Sequence, residues 1–153
     1  SKDTIMYYIS QKQFFHDLKG FLIYIKKHFK VDTLFCIKNG SLMVGQYLSY
    51  KLDKPLYIID YNKKSNILTT TFDFNNTKNI KNILVVDEIL DTGATIFPVV
   101  DRLHLEFKKR GLYYSITPFC LYGKYPEFKN FYYLQLPTSQ YITFFWERRR
   151  ING

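Results

Sequence analysis

The stretch Ile83-Leu84-Val85-Val86-Asp87-Glu88-Ile89-Leu90-Asp91-Thr92-Gly93-Ala94-Thr95 constrains this chain more than any other. Its four leading apolar residues, mostly β-branched, describe a strand buried on both faces. Such strands belong to parallel sheets, and parallel neighbours need a crossover, usually a helix. The helix follows at once: Ile96, Val99, Val100, Leu103 and Phe107 recur at helical spacing, and Gly111 is a good terminator. Pro98 is tolerable only because it falls in the first turn. Residues 87–95 read as the turn between the two. Adjacent Asp87 and Glu88 repel each other, so folding alone does not favour them there. A ligand with hydroxyls or a metal ion explains them. Asp91 to Thr95 offers small residues, two hydroxyls and backbone N–H groups at the positive end of a helix, which suits a phosphate. Gly93 permits close backbone approach. An ordinary helix cap by Asp91 or Thr92 explains Asp-Thr-Gly but not the acids before it. A sugar phosphate satisfies both halves.

The rest of the chain alternates in the same way. Phe14, Phe15, Leu18, Phe21, Leu22, Ile25 and Phe29 share one face of a helix from Gln11 to Phe29. Ser10 and Gln13 fit a capping box at its start. A short buried strand, Thr33 to Ile37, leads through the turn Lys38-Asn39-Gly40-Ser41 to a second helix, Leu42 to Leu52. Leu56 to Ile59 is a strand. Residues 61–82 are rich in Asn, Lys and Thr, with strand character only at 67–72. They read as a long mobile loop or an exposed hairpin, and loops of this length are often lids; the lid is placed at 62–80. Tyr113 to Leu121 is a fourth strand. Residues 122–147 are aromatic and irregular, with a last strand near Tyr141 to Phe145, and form a small hood. The expected fold is α/β: one domain over 1–153, a mainly parallel sheet flanked by helices. Ligands of such sheets bind at the carboxyl ends of the strands, where both 38–41 and 87–95 fall. Asn-Gly is also a hairpin signal, but a hairpin needs a strand where the helical pattern from Leu42 stands.

Composition narrows the partners. Lys and Arg exceed Asp and Glu by 22 − 13 = 9, which favours phosphorylated small molecules, nucleic acid or an anionic surface without choosing among them. Aromatics make up 19%, which argues against disorder. Cys36 and Cys120 each sit in an apolar run with no C-x-x-C pattern, as buried thiols do. His16, His28 and His104 lack metal-ligand spacing. No apolar run reaches the roughly 18 residues of a membrane span and no signal peptide opens the sequence, so a soluble, cytoplasmic protein is expected.

The string Ile83–Thr95 resembles, position by position, the phosphoribosyl-diphosphate signature of type I phosphoribosyltransferases. That resemblance extends over most of the chain and implies the family's fold. It implies that Asp87 and Glu88 hold the ribose 2′ and 3′ hydroxyls and the magnesium. It implies that Asp91, Thr92, Gly93, Ala94 and Thr95 hold the 5′-phosphate, and that Asp91 also exchanges a proton with the purine imidazole ring. Lys38-Asn39-Gly40 resembles the pyrophosphate loop, with two departures: lysine lacks arginine's bidentate fork, and Asn39 stands where the family usually has a glycine. After the fourth strand, Lys124 matches a lysine that donates to the purine 6-oxo group in xanthine-guanine and hypoxanthine-guanine enzymes. Tyr141 falls at their stacking position, and the carbonyl of Ile142 at the position facing the 2-substituent. Phe145-Trp146-Glu147 resembles their closing sequence, with Phe for Pro. The implied activity is magnesium-dependent transfer of phosphoribose from 5-phosphoribosyl-1-diphosphate to guanine, xanthine or hypoxanthine by a homo-oligomer. A regulator on the same fold, binding RNA or DNA with phosphoribosyl diphosphate as effector, is the alternative that the net charge and Arg148-Arg149-Arg150 allow. A different acceptor, such as a pyrimidine, is a third. Gly93→Val is expected to block the phosphate cradle while sparing the fold, on the reading that Gly93 lies in a surface turn.

Overall fold

A computed structural model describes residues 6–38, 40–137 and 139–147. Its elements are β1 (Met6–Ile9), α1 (Gln11–His28), β2 (Thr33–Ile37), α2 (Leu42–Leu52), β3 (Leu56–Asn62), β4 (Ile67–Thr70), β5 (Asn82–Leu90), α3 (Ile96–Lys108), β6 (Ser115–Gly123), a short 3-10 helix (Pro126–Phe131), β7 (Tyr132–Gln135) and β8 (Tyr141–Phe144). Six strands form one sheet in the order β4-β3-β2-β5-β6-β7. All its neighbours run parallel except β3 and β4. The fold is the expected mainly parallel α/β sheet, and β5 lies inside it. Ile83, Leu84, Val85 and Val86 are at most 2% exposed, so each contributes the roughly 1.5–3 kcal/mol of a fully buried apolar side chain.

The strand's two faces feed two cores. Leu84 and Val86 pack with Phe14, Leu18 and Phe21 of α1 and Val44 and Leu48 of α2. Ile83 and Val85 pack with Val99, Val100, Leu103 and Phe107 of α3. The faces predicted for α1 and α3 are the buried ones. Cys36 and Cys120 are free and buried, as expected, and burial pushes the Cys36 thiol up to about 11.

The start of α1 keeps half of the expected capping box. Ser10 Oγ accepts from the Gln13 N–H at 3.1 Å, but the Gln13 amide donates instead to Tyr7 Oη at 3.3 Å. Tyr7 stands there because of β1, a strand the sequence pattern did not reveal. β1 pairs in parallel with β8, Met6 opposite Tyr141 and Ile9 opposite Phe144, forming a separate two-stranded sheet at the hood. The chain's first described strand thus holds its last. β7, also unexpected, adds to the edge of β6.

Residues 61–82 resolve into the hairpin alternative. β4 folds back antiparallel on β3, Ile59 opposite Thr70 and Asn62 opposite Ile67. Beyond it Phe72 is buried against Phe35, Tyr57 and Phe107, which anchors the segment to the core. At the far end the Asp32 carboxylate accepts from the N–H groups of Lys81 and Asn82 at 3.0 and 2.8 Å. These bonds, that to Asn82 first, hold Asp32 below the usual carboxylate range.

Candidate active site

β5 does not end at Val86. Its ladder with β6 continues through Asp87 opposite Cys120, Ile89 opposite Tyr122 and Leu90 opposite Gly123. Asp87 and Glu88 therefore stand within the strand, and the turn is 91–95 rather than 87–95. Ladder bonds are made by the backbone, so charged side chains need not terminate them. The pair does break the alternation of faces: Val86 and Ile89, three positions apart, both pack on the α1 core. Asp87 Oδ1 accepts from the Glu88 N–H at 2.9 Å. Burial, then the hydrogen bond and charge of the Glu88 carboxyl, push the Asp87 carboxyl well above its usual range. Glu88 reaches over Gly40 so closely that a Cβ there would run into its carboxylate. Gly40 thus brings the loop after β2 against the acids of β5. Glu88 Oε2 is buried without a hydrogen-bond partner. A buried carboxylate oxygen left so is costly unless something else binds it.

The cradle follows. Gly93 adopts φ +84°, in the left-handed region that favours glycine. It is buried, and a Cβ added to it would strike the ring of Phe97. The expectation of a tolerant surface turn is therefore wrong: Gly93 is held by its packing against Phe97. Ala94 N–H donates to Thr92 Oγ1 at 3.3 Å, and Phe97 N–H to the Gly93 carbonyl at 3.2 Å. Thr95, at the N-cap of α3, makes no side-chain cap bond. Helix geometry leaves the first N–H groups there without intrahelical acceptors. Asp87, Glu88 and the loop Asp91–Thr95 line one cavity of about 290 Å³, together with Lys63 from the turn between β3 and β4.

The other predicted residues fall in three places. Lys38 follows β2, and its ammonium lies 3.5 Å from Asp60 Oδ2 on β3. Ser41 Oγ donates to the Ile37 carbonyl at 2.5 Å, tightening the turn before α2. A helix after this turn excludes the hairpin reading; Asn39 itself lies outside the described residues. Lys124 follows β6, its N–H bonded to the Leu90 carbonyl at 3.1 Å and its ammonium 3.7 Å from Asp91 Oδ2. The predicted base-reading lysine and the predicted proton acceptor thus stand together at the ends of adjacent strands. Tyr141 and Ile142 are on β8 of the hood. Tyr141 is 57% exposed, which leaves its ring free to stack. Glu147 Oε1 accepts from the Phe144 N–H at 2.9 Å, and Trp146 stacks on Phe144 at 4.4 Å. The closing sequence therefore locks its own turn, with one Glu147 oxygen already committed. Arg148, Arg149 and Arg150 lie outside the described residues.

Two side chains escaped the sequence reading. Lys63 sits in a polar segment with no periodicity to place it. Asp17, on α1, accepts from the Tyr122 hydroxyl at 2.6 Å and ties that helix to the end of β6. Among the described residues no group of three or more His, Cys, Asp and Glu gathers as a metal cage. Two carboxylates, one with an unpartnered oxygen, still fit magnesium. That ion keeps several waters and is usually held by one or two carboxylates plus substrate phosphates.

Comparison with known proteins agrees with this geometry. The family described as phosphoribosyl transferase domain matches residues 8–109. The search of curated proteins finds no match. Among solved structures, the chain is similar to a purine phosphoribosyltransferase from Pyrococcus horikoshii, with TM-score 0.71, 22% identity and 97% of each chain covered. It is similar to the xanthine-guanine-hypoxanthine phosphoribosyltransferase of Helicobacter pylori, with TM-score 0.73, 23% identity and 93% of each chain covered. A hypothetical protein from Neisseria gonorrhoeae with bound ppGpp aligns with TM-score 0.64 at 15% identity, over 95% of this chain and 90% of its own. These likenesses establish the fold that the signature implied.

Proposed function

The chain belongs to the phosphoribosyl transferase domain family, and we propose that it transfers 5-phosphoribose from 5-phosphoribosyl-1-diphosphate to a 6-oxopurine, giving a nucleoside monophosphate and pyrophosphate. The observation that carries the choice of acceptor is the 3.7 Å pairing of Lys124 with Asp91. A cation donor beside a carboxylate acceptor matches a purine edge that presents the 6-oxo oxygen beside the N7–H. A 6-amino group would place a donor against the lysine. The Helicobacter and Pyrococcus enzymes, purine transferases on this fold, support the reading.

The chemistry follows from the residues. The loop 91–95 holds the 5′-phosphate, and Asp87 and Glu88 hold the ribose hydroxyls. As the C1′–oxygen bond to the diphosphate breaks, C1′ takes on oxocarbenium character. Purine N9 forms the new glycosidic bond, and the N7 proton passes to Asp91. Tyr141 stacks on the base and the Ile142 carbonyl faces its 2-substituent, with Glu147 fixing the turn that follows β8. Asp87 and Glu88, with the substrate, would hold magnesium, which when bound would supply charge neutralisation to the leaving diphosphate. The β3–β4 hairpin, closing as a lid, would exclude the water that competes for the cation. The same reading has the protein work in the cytoplasm as a homo-oligomer.

The test is a panel of bases incubated with phosphoribosyl diphosphate and magnesium, read by pyrophosphate release. Guanine, xanthine or hypoxanthine should turn over and adenine hardly at all, since sites built around such a hydrogen bond discriminate by about 10⁴ or more. Lys124→Ala should narrow the guanine-to-adenine ratio of kcat/KM. A parent that prefers adenine, or a ratio indifferent to Lys124, refutes the acceptor assignment. RNA binding with steep salt dependence and no purine turnover would replace it with the regulator reading.

A further inference from the structure

Asp17 is the only acidic residue of α1, and it stands in the middle of the helix, where aspartate is a poor helix former. Helix propensity therefore does not account for it. Its carboxylate accepts from the Tyr122 hydroxyl at 2.6 Å, across 105 residues of sequence. Tyr122 is fully buried. A phenylalanine there would bury the same ring and need no partner, so the hydroxyl asks for a reason beyond packing. Burial, and after it the hydrogen bond and charge of Asp17, push the Tyr122 hydroxyl up from its usual range, so it stays a donor.

Both walls of the predicted base site converge on this bond. On one side, Tyr122 lies opposite Ile89 in the sheet and stands two residues before Lys124. On the other, its ring is 6.1 Å from that of Phe144, the last residue of β8, the strand that carries Tyr141 and Ile142. α1 closes the triangle. Phe14, one turn before Asp17, holds Phe144 and Trp146 at 6.3 and 5.1 Å between ring centres. Beside it, Tyr7 Oη accepts from the Gln13 amide at 3.3 Å, and Tyr7 is the register partner of Ile142. Among the described residues, β6 and β8 belong to separate sheets, so no ladder fixes one against the other. The Tyr122–Asp17 bond and the aromatic contacts around it do so instead.

We infer that Tyr122, anchored by Asp17, is a positioning residue for the purine: it sets the spacing between Lys124 on the sheet and Tyr141 and Ile142 on the hood. The inference rests on the transferase reading above and deepens it. Loss of the bond keeps the ring but releases the end of β6 from α1 and from the hood that α1 carries. The base then meets its edge reader and its stacking ring at the wrong separation. The phosphoribosyl half of the site, built on β5 and the loop 91–95, keeps its geometry.

The measurement separates the two halves of the site: KM for the preferred 6-oxopurine, by pyrophosphate release with magnesium, against Kd for phosphoribosyl diphosphate, by calorimetry. Tyr122→Phe should raise the purine KM about tenfold, the low end of what one pocket contact is worth, and leave the phosphoribosyl diphosphate Kd within about twofold. Asp17→Ala should do the same. Asp17→Asn, which keeps an acceptor for the hydroxyl, should stay within about twofold of the parent on both. Asp17→Ala combined with Tyr122→Phe should raise the purine KM no further than either alone, because both remove one bond. An unchanged purine KM in Tyr122→Phe overturns the inference. So does an equal loss for both substrates, which would mean general damage, or a double variant whose effects add. Melting temperatures identify a variant that folds poorly, and should Tyr122→Phe be one, Asp17→Ala against Asp17→Asn carries the same test. A parent that binds phosphoribosyl diphosphate but turns over no purine refutes the acceptor reading and the inference with it; a parent that turns over purines, with both single variants at its KM, refutes the inference alone.

Discussion

Gly93 and Gly111 form a matched pair that isolates what the cradle demands. Both carry positive φ, +84° and +70°. An L side chain in that region costs roughly 1–2 kcal/mol. At Gly111 an added Cβ meets nothing within 4 Å; at Gly93 it strikes the Phe97 ring. Phe97 cannot yield freely, because its ring packs at 5.5 and 5.3 Å from those of Phe128 and Phe131. Overpacking of this kind costs about 1–3 kcal/mol in addition. Gly111→Ala should therefore lose about 1–2 kcal/mol, and Gly93→Ala about 2–5 kcal/mol, the sum of the two ranges. Urea denaturation of the parent and both variants gives the numbers. Calorimetric titration with phosphoribosyl diphosphate should show binding intact in Gly111→Ala and lost or strongly weakened in Gly93→Ala. Gly93→Val should be worse in both respects. Adding Phe97→Leu to Gly93→Ala removes the ring and should recover part of the excess stability loss, but not the backbone part. A Gly93→Ala no less stable than Gly111→Ala would refute the argument that packing against Phe97 fixes the loop.

Two further expectations separate chemistry from folding. Asp91→Asn should lower turnover by about 10²–10⁴ where chemistry limits the rate, while unfolding free energy stays within about 0.5 kcal/mol, because its ion pair with Lys124 is solvated on the Asp91 side; unchanged turnover removes Asp91 from proton transfer. Asp87→Asn should do the opposite to stability: the folded-state pKa of Asp87 is raised, so its stabilising share is present below about 3.8 and lost as pH rises through the folded value. The variant should lie nearest the parent at acid pH, melt higher than the parent near neutrality, and fail to bind phosphoribosyl diphosphate with magnesium; a stability gap that does not widen with pH contradicts the burial of that carboxyl.

What the sequence made legible was whatever one face of one element decides. α2 and β2 have the bounds their patterns gave, and α1 and α3 bury the predicted faces, because helical and strand periods are local properties. β1 hides for the complementary reason, whereas its partner β8 falls where the last strand is expected, near Tyr141 to Phe145. Four residues of mixed polarity become a strand only when a partner more than a hundred positions away supplies the ladder. β5 runs four residues past the apolar run that marks it in the sequence, because the ladder depends on backbone groups that Asp87 and Glu88 still provide.

The site divides along the same line. Asp91 and Lys124 were identified separately, and parallel topology brings them together by ending β5 and β6 at the same level, so their pairing is a consequence of register. Gly40 was chosen as part of a loop, yet its packing against Glu88 couples the end of β2 to the acids of β5, a contact no spacing rule encodes. Lys63 had no pattern around it because its placement depends on a hairpin turn held by Asn62, Tyr61 and Asn66. These cases share one physical cause. A functional side chain on a strand end inherits its position from the sheet, whereas one on a connecting turn inherits it from hydrogen bonds that form only after the strands have paired. The acids at the centre then carry a cost that folding does not recover, since Asp87 is pushed toward its neutral form and Glu88 Oε2 is left unpartnered until a ligand arrives. Under the proposed function, relief of that cost on binding would make the same two residues poor for stability and suited to a sugar phosphate and its metal.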